Sequence, residues 1–420
     1  MAACDYHRVV SAAVVEQVYR YGGASAVVER EGGPSVALAA SGGTDEHPRL
    51  YAGWIPDARL QAQALLVVSR TARSRFHTPA AMLARRLMLA DPVVTVNERA
   101  LRFEAFSSCC GVYARHDIDT SELDGRIATG TTNVDFNEPM RAALAGVAAD
   151  GPVHLTVGTE EVAVLTAEGT VVERRVALPA RWIKGFGEVQ ATQSAMRERF
   201  DLPGTAVRRL LRNLPRTGPA GTLLHVRRSG RDLRLSAVGG RDAVTLAGPQ
   251  RLLLLEPLVA AATRLRAYGA DSGASAWVLD FPGGRLTVAL SPEIWRGFSG
   301  EGAVLRALAG DAADHAARGF AGYDLSEGAF FDRRLPFDLD AVDALQPRLR
   351  GARALVENGA VRAIDGDDAF VRSGKVEYHV RMTPEGARCT CPWFVRHGEV
   401  RGPCKHVLAI ELVLDAQPQR

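Results

Sequence analysis

The sequence predicts an α+β, multi-domain chain: β-meander and helix units over most of its length, then a small ββα unit at the C-terminus. Three observations carry this. The chain has 420 residues, enough for two to four domains. Runs of period-two alternation are interleaved with stretches of helical period, and Gly, Pro, Asn and Asp mark the turns between them. Four soft ligand residues crowd into the last 32 positions. Hydrophobic residues make up 47% of the chain and charged residues 24%, an ordinary globular balance that can bury a sizeable core.

The first unit is expected over residues 1–125. AAMLARRLMLA (80–90) reads as a helix. VVTVNERALRFEAFSSCCGVYAR (93–115) reads as two strands around a turn at Asn97-Glu98. RHDIDTSELDGRIATGTTN (115–133) reads as a solvated loop. Asp117, Asp119, Glu122 and Asp124 within it suggest a cation site only weakly, because no calcium-loop spacing is present.

A second region is expected over 126–350. NEPMRAALAGVAA (137–149) is a helix leading into a meander of VHLTVG, VAVLTA and TVVERRVAL, with turns at Thr159-Glu160 and Glu168-Gly169. A helical pattern then extends to about Phe200. ALPARWIKGFGEV (177–189) is echoed by LSPEIWRGFSGEG (290–302), each with Pro three residues before Trp. This reads either as two related strand-strand-helix units or as coincidence. A real duplication would give Trp182 and Trp295 matching packing roles. Between them, AVRRLLRNL reads as a helix and LLHVRRSGRDLRLSAV as a hairpin turning at Ser229-Gly230. Arg208, Arg209, Arg212, Arg227, Arg228 and Arg231 make this stretch a candidate nucleic-acid surface of winged-helix type. No aromatic residue lies among them, so stacking on single strands is poorly supported. Of the 51 basic residues only Lys184, Lys375 and Lys405 are lysines, so arginine richness also reflects the bias of the whole chain.

The third unit spans 369–417, after a linker of roughly 345–368 with a short helix ending at Asn358-Gly359. Val376, Tyr378, Val380 and Met382 alternate as a strand, residues 383–386 turn, and Ala387–Cys391 returns as a second strand. HVLAIELVL then reads as a helix with Val407, Ile410 and Leu414 on one stripe. Cys389, Cys391, Cys404 and His406 give Cys-x-Cys, twelve residues, then Cys-x-His. Three thiolates and an imidazole complete a tetrahedral Zn²⁺ sphere with no open position, so the site reads as structural. The complex carries one net negative charge, which a helix N-terminus at Cys404 favours. Arg388, Arg396, Arg401 and Lys405 stand near enough in sequence to add to it. A unit of roughly 50 residues buries too little apolar surface to fold securely alone, and bound metal offsets that deficit. His397 is read as a surface residue, since four ligands already fill the sphere.

CxC-x(n)-CxH between a β-hairpin and a short helix resembles the SWIM-type zinc finger, over roughly Tyr378 to Leu414. The resemblance implies a ββα fold, bound zinc, and contact with DNA or protein. TTNVDFN, LPARWIKGF and LSPEIWRGFSGEG are similar to phrases of bacterial SWIM proteins of about this length. Some of these are encoded beside MoxR-type ATPases and von Willebrand A-domain proteins, which implies an ATPase-containing assembly.

No enzymatic signature is complete. Ser373-Gly374-Lys375 is followed by Val376, and Ala369 stands where a phosphate-binding loop needs its first glycine. Glu301 occupies the last glycine of a would-be GxSxG. The expectation is a non-enzymatic zinc protein whose finger contacts a protein partner; the alternative is a DNA-binding protein using the finger and residues 203–235. No membrane span is expected: the best apolar run, LLLLEPLVAAATRL (252–265), is broken by Glu256 and Pro257. Cys4, Cys109 and Cys110 read as reduced thiols of a cytoplasmic protein.

Overall fold

Antiparallel pairing builds every sheet in the computed structural model, which describes residues 26–30, 33–37, 49–76, 92–176, 178, 180–217, 221–230, 232–300, 302–309, 321–333, 335 and 345–415. The chain divides into two compact units, Met1–Pro48 and Arg49–Arg420. In the first, β1 (Ala26–Arg30) pairs with β2 (Gly33–Ala37). The helix expected over 80–90 lies outside the described residues.

The second unit begins with β3 (Arg49–Trp54) and helix α1 (Ala58–Arg73). Next come β4 (Val93–Val96), β5 (Ala100–Phe106), β6 (Val112–Asp119), β7 (Arg126–Ile127) and β8 (Gly130–Asn133). Asn97 closes the β4–β5 turn by accepting the Arg99 and Ala100 N–H groups, each at 3.0 Å. Helix α2 (Glu138–Ala145) starts where the Asn137 side chain accepts the Met140 N–H and Pro139 supplies a fixed φ. The expected meander follows as β9 (His154–Gly158), β10 (Glu161–Thr166) and β11 (Gly169–Arg174). Helix α3 (Ala180–Ser194) ends before the expected Phe200, because Arg197–Pro203 is strand β12, alternating exposed and buried residues. Then come α4 (Gly204–Asn213), β13 (Leu223–Ser229), β14 (Asp232–Ser236) and β15 (Val244–Ala247). The apolar run after Gly248 is a 3-10 segment, Pro249–Leu258, with Leu252, Leu255 and Leu258 buried. None of the described helices is long and apolar enough to cross a membrane. β16 (Arg264–Gly269), β17 (Ser275–Phe281), β18 (Gly284–Leu290), α5 (Leu305–Ala309), β19 (Ala321–Asp324) and β20 (Ala329–Asp332) complete the body. The C-terminal part holds α6 (Pro347–Glu357), β21 (Val361–Asp365), β22 (Asp368–Ser373), β23 (Val376–Thr383), β24 (Gly386–Cys389), α7 (Pro392–His397) and α8 (Lys405–Asp415).

An eight-stranded sheet, in the order β12-β16-β17-β18-β6-β5-β4-β8, forms the centre. It draws strands from both sides of residue 125, so the boundary expected there runs through one sheet. Its two faces differ in chemistry. Pairing registers place Leu101, Phe103, His116, Ile118 and Leu286 on one face, which α1 covers. The other face carries Arg102, Glu104, Phe106, Tyr113, Arg115, Asp117 and Arg285. That face is also buried. Arg102 reaches Asp117 and Asp324, and Arg115 reaches the same two carboxylates. Arg333 donates to Glu104 at 2.6 Å, as does the Tyr113 hydroxyl. The β19–β20 hairpin supplies Asp324 and Phe331, whose ring lies 4.1 Å from the Arg102 guanidinium carbon. Asp117 is therefore a buried ion-pair partner, not a loop carboxylate, and the expected solvated loop is partly sheet. Asp119 caps a short 3-10 turn and Asp124 accepts the Trp54 N–H.

The two tryptophans do not play matching roles. Trp182 is wholly buried in α3, packed edge-on against Phe106 and Phe186. Trp295 lies outside any helix and is 55% exposed. The strand pairs before them also differ: β10 and β11 belong to a five-stranded sheet, β17 and β18 to the eight-stranded one.

Candidate metal centre

The C-terminal unit has a four-stranded sheet, β21-β22-β23-β24, rather than the two strands expected. Residues read as a linker supply α6, β21 and the β21–β22 turn at Gly366, where φ is 58°. Ala369, Val371, Val380, Ala387 and Cys389 form the buried face, packed against Val407 and Ile410 of α8. Tyr378 and Met382 are half-buried on this face, whereas Val376 at the strand's start is exposed.

The ligand pairs sit where the chain changes direction. Cys389 ends β24 opposite Val380. Cys391 is not on the strand; it is the N-cap of α7, its sulfur accepting the Phe394 N–H at 3.4 Å. Pro392 thus begins a helix as well as ending a strand. Gly398, at φ 54°, ends α7. Cys404 directly precedes α8, and its carbonyl accepts the Leu408 N–H at 3.0 Å. His406 lies in the first helical turn.

All four side chains are buried, and their ligand atoms lie within 4.8 Å of one another. His406 Nδ1 lies 3.8 Å from Cys389 Sγ and 4.0 Å from Cys404 Sγ. A tetrahedral zinc ion with ordinary Zn–S and Zn–N bonds needs S···N separations of about 3.6 Å and S···S of about 3.8 Å. The donor set therefore fits Zn²⁺, held by three sulfurs and Nδ1. Without a cation the three thiols cannot all ionise. A hydrogen bond toward Cys404, with burial, pushes Cys389 up, and that same bond holds Cys404 down. Bound Zn²⁺ would stabilise all three thiolates.

The His406 ring stacks on Tyr378, centroids 4.5 Å apart and planes 28° off parallel. Its Nε2 is buried with no hydrogen bond among the described residues, so stacking rather than an acceptor orients the ligand. Arg348 of α6 donates to the Arg401 and Pro403 carbonyls at 2.6 and 3.0 Å and lies over the Trp393 ring, fixing the approach to Cys404. Local sequence marks neither Tyr378 nor Arg348 as a positioning residue. Tyr378 was visible as a member of the inward-facing alternation, but Arg348 carried no local signal. Two of the basic residues expected to add to the helix field turn elsewhere: Lys405 reaches Ser373 Oγ at 2.9 Å and Arg401 reaches the Gly300 carbonyl at 3.0 Å. His397 stays outside the ligand cluster, 3.5 Å from Arg401.

Residues 378–415 match the family model of the SWIM zinc finger. No curated protein matches the chain. Among solved structures the chain is similar to the PCNA2-PCNA3 complex from Sulfolobus tokodaii, with 10% identity over 58% of this chain and 99% of that one, at a TM-score of 0.40. It is also similar to proliferating cellular nuclear antigen from Entamoeba histolytica, with 10% identity over 59% of this chain and 100% of that one, at a TM-score of 0.38. At such scores neither likeness bears on fold or function.

The arginine-rich segment folds as expected into a helix, α4, and a hairpin, β13–β14. Arg208, Arg209 and Arg212 lie on the exposed face of α4, with Arg209 paired to Asp232. Arg227 and Arg228 are exposed on β13. Arg231 lies outside the described residues, as does Cys4. Cys109 and Cys110 are thiols, and burial pushes Cys110 up to about 12.

Proposed function

We propose that this chain is a non-enzymatic interaction protein whose zinc-tied finger contacts a protein partner. The outer face of the finger sheet carries the reading. Phe370, 38% exposed, stacks on His379 at 5.1 Å. Around them lie Asp368, bonded to His379 at 2.7 Å, Glu377 opposite Arg372, and Arg381 opposite Arg388. Mixed signs around an exposed aromatic suit a protein surface better than a polyanion. The resemblance to SWIM proteins encoded beside MoxR-type ATPases makes a bacterial, cytoplasmic ATPase assembly the partner to look for. The second reading, DNA binding, is favoured by the basic α4 and β13–β14 surface.

The test compares tagged full-length chain with Cys404→Ser and Phe370→Asp variants, co-purified with the ATPase subunits from its host. The wild type should carry one zinc per chain by elemental analysis and Cys404→Ser markedly less. Phe370→Asp should keep zinc but lose the ATPase. Equal recovery of the ATPase by wild type and Phe370→Asp would sink the docking face.

A further inference from the structure

We infer that a cleft between edge strand β12 and the β13–β14 hairpin takes the phosphate backbone of a nucleic acid. This rests on the DNA-binding reading and locates its contact away from the finger. The cleft measures about 700 Å³. Arg199 of β12, Arg227 and Arg228 of β13 and Arg241 of the loop before β15 line it, opposed by Glu198 and Asp242. Residues distant in sequence therefore converge with an excess of positive charge. Arg199 and Arg241 lie outside the stretch that sequence alone marks as basic.

The hairpin register sharpens the point. Arg227 sits directly opposite Arg234, and both are exposed. Like charges facing across a strand pair destabilise it unless an anion lies between or beside them. Among the described residues neither has an ion-pair partner, in contrast to Arg209, Arg216 and Arg264 nearby, each paired with a carboxylate. Arg199 Nε is buried without a hydrogen bond. Planar guanidinium forks match phosphate oxygens two at a time. Phe200, the aromatic residue of the cleft, is only 2% exposed, so bases find no face to stack on. The recognised chemistry is the phosphodiester backbone, with little dependence on sequence.

The experiment follows fluorescence anisotropy of a short labelled mixed-sequence duplex with the full-length chain, from about 50 to 200 mM salt. Wild type should bind at low salt and weaken steeply as salt rises. Arg227→Glu/Arg241→Glu, both at exposed positions, should bind about tenfold more weakly, with the log–log salt slope shallower by about two. Matching thermal melts establish that the double variant is folded, and Arg227→Gln/Arg241→Gln serves if they differ. Wild-type affinity and slope in a folded double variant would overturn the cleft and leave DNA binding to the finger or α4. No duplex binding at low salt would overturn both, even if tripolyphosphate protected the wild type against thermal unfolding.

Discussion

Trp182 and Trp295 sit in similar phrases and have different surroundings. Trp182→Ala removes a fully buried indole and should cost about 3–5 kcal/mol, whereas Trp295→Ala should stay within about 1 kcal/mol, by denaturant midpoint. His116 offers a second test. Its ring lies between Phe103 and Phe281, and Nδ1 donates to the Arg285 carbonyl at 3.1 Å. Burial lowers its pKa to about 4, against the opposing pull of that carbonyl and Asp117. The folded value lies below the unfolded value of about 6.5, so its contribution is complete above that pH and lost as pH falls toward 4. The unfolding free energy should drop by about 3 kcal/mol across that window, and His116→Phe should flatten the limb. The metal ligands were legible because coordination depends on residue type and local spacing. Tyr378 and His116 were not, since their roles depend on rings brought together from distant strands.

The elements with clean local signals appear where expected: the meander β9–β11, the hairpin β13–β14 and helix α8. The burial of the central sheet is not legible locally, for a physical reason. Alternation of apolar and charged residues in Leu101–Phe106 looks like a strand with one wet face, yet β5 is buried at every position. Its charged face is dry because Arg102 and Arg115 find partners on β19 and Glu104 finds Arg333, each more than 200 residues away, while Asp117 pairs with Arg102, Arg115 and Arg285. Burial alone would raise Asp324, but Arg115, Arg285 and Arg102 outweigh it and hold its carboxyl well below the usual range. Removing one member strands the others in a poorly solvated site. Asp117→Asn should therefore cost about 3–5 kcal/mol by chemical denaturation, far more than breaking the exposed Arg209–Asp232 pair. PWFVRH, too short to show a helical period, hid α7.

At the scale of the molecule, the finger is built into the body. Leu408 and Ala409 of α8 share a core with Ile183, Val304, Leu305, Leu308 and Leu349, while Val407 and Ile410, on the same helix, serve the finger core. Arg306 adds polar ties to Glu399 and Glu411. Hydrogen exchange should rise on chelation at 304–309 and 347–357 as well as within 369–415, and unchanged protection in the two body segments would refute the coupling. One helix thus answers to two interiors at once. A cell short of zinc would find this protein weakened along a seam well beyond the coordination sphere, with its abundance tracking metal supply.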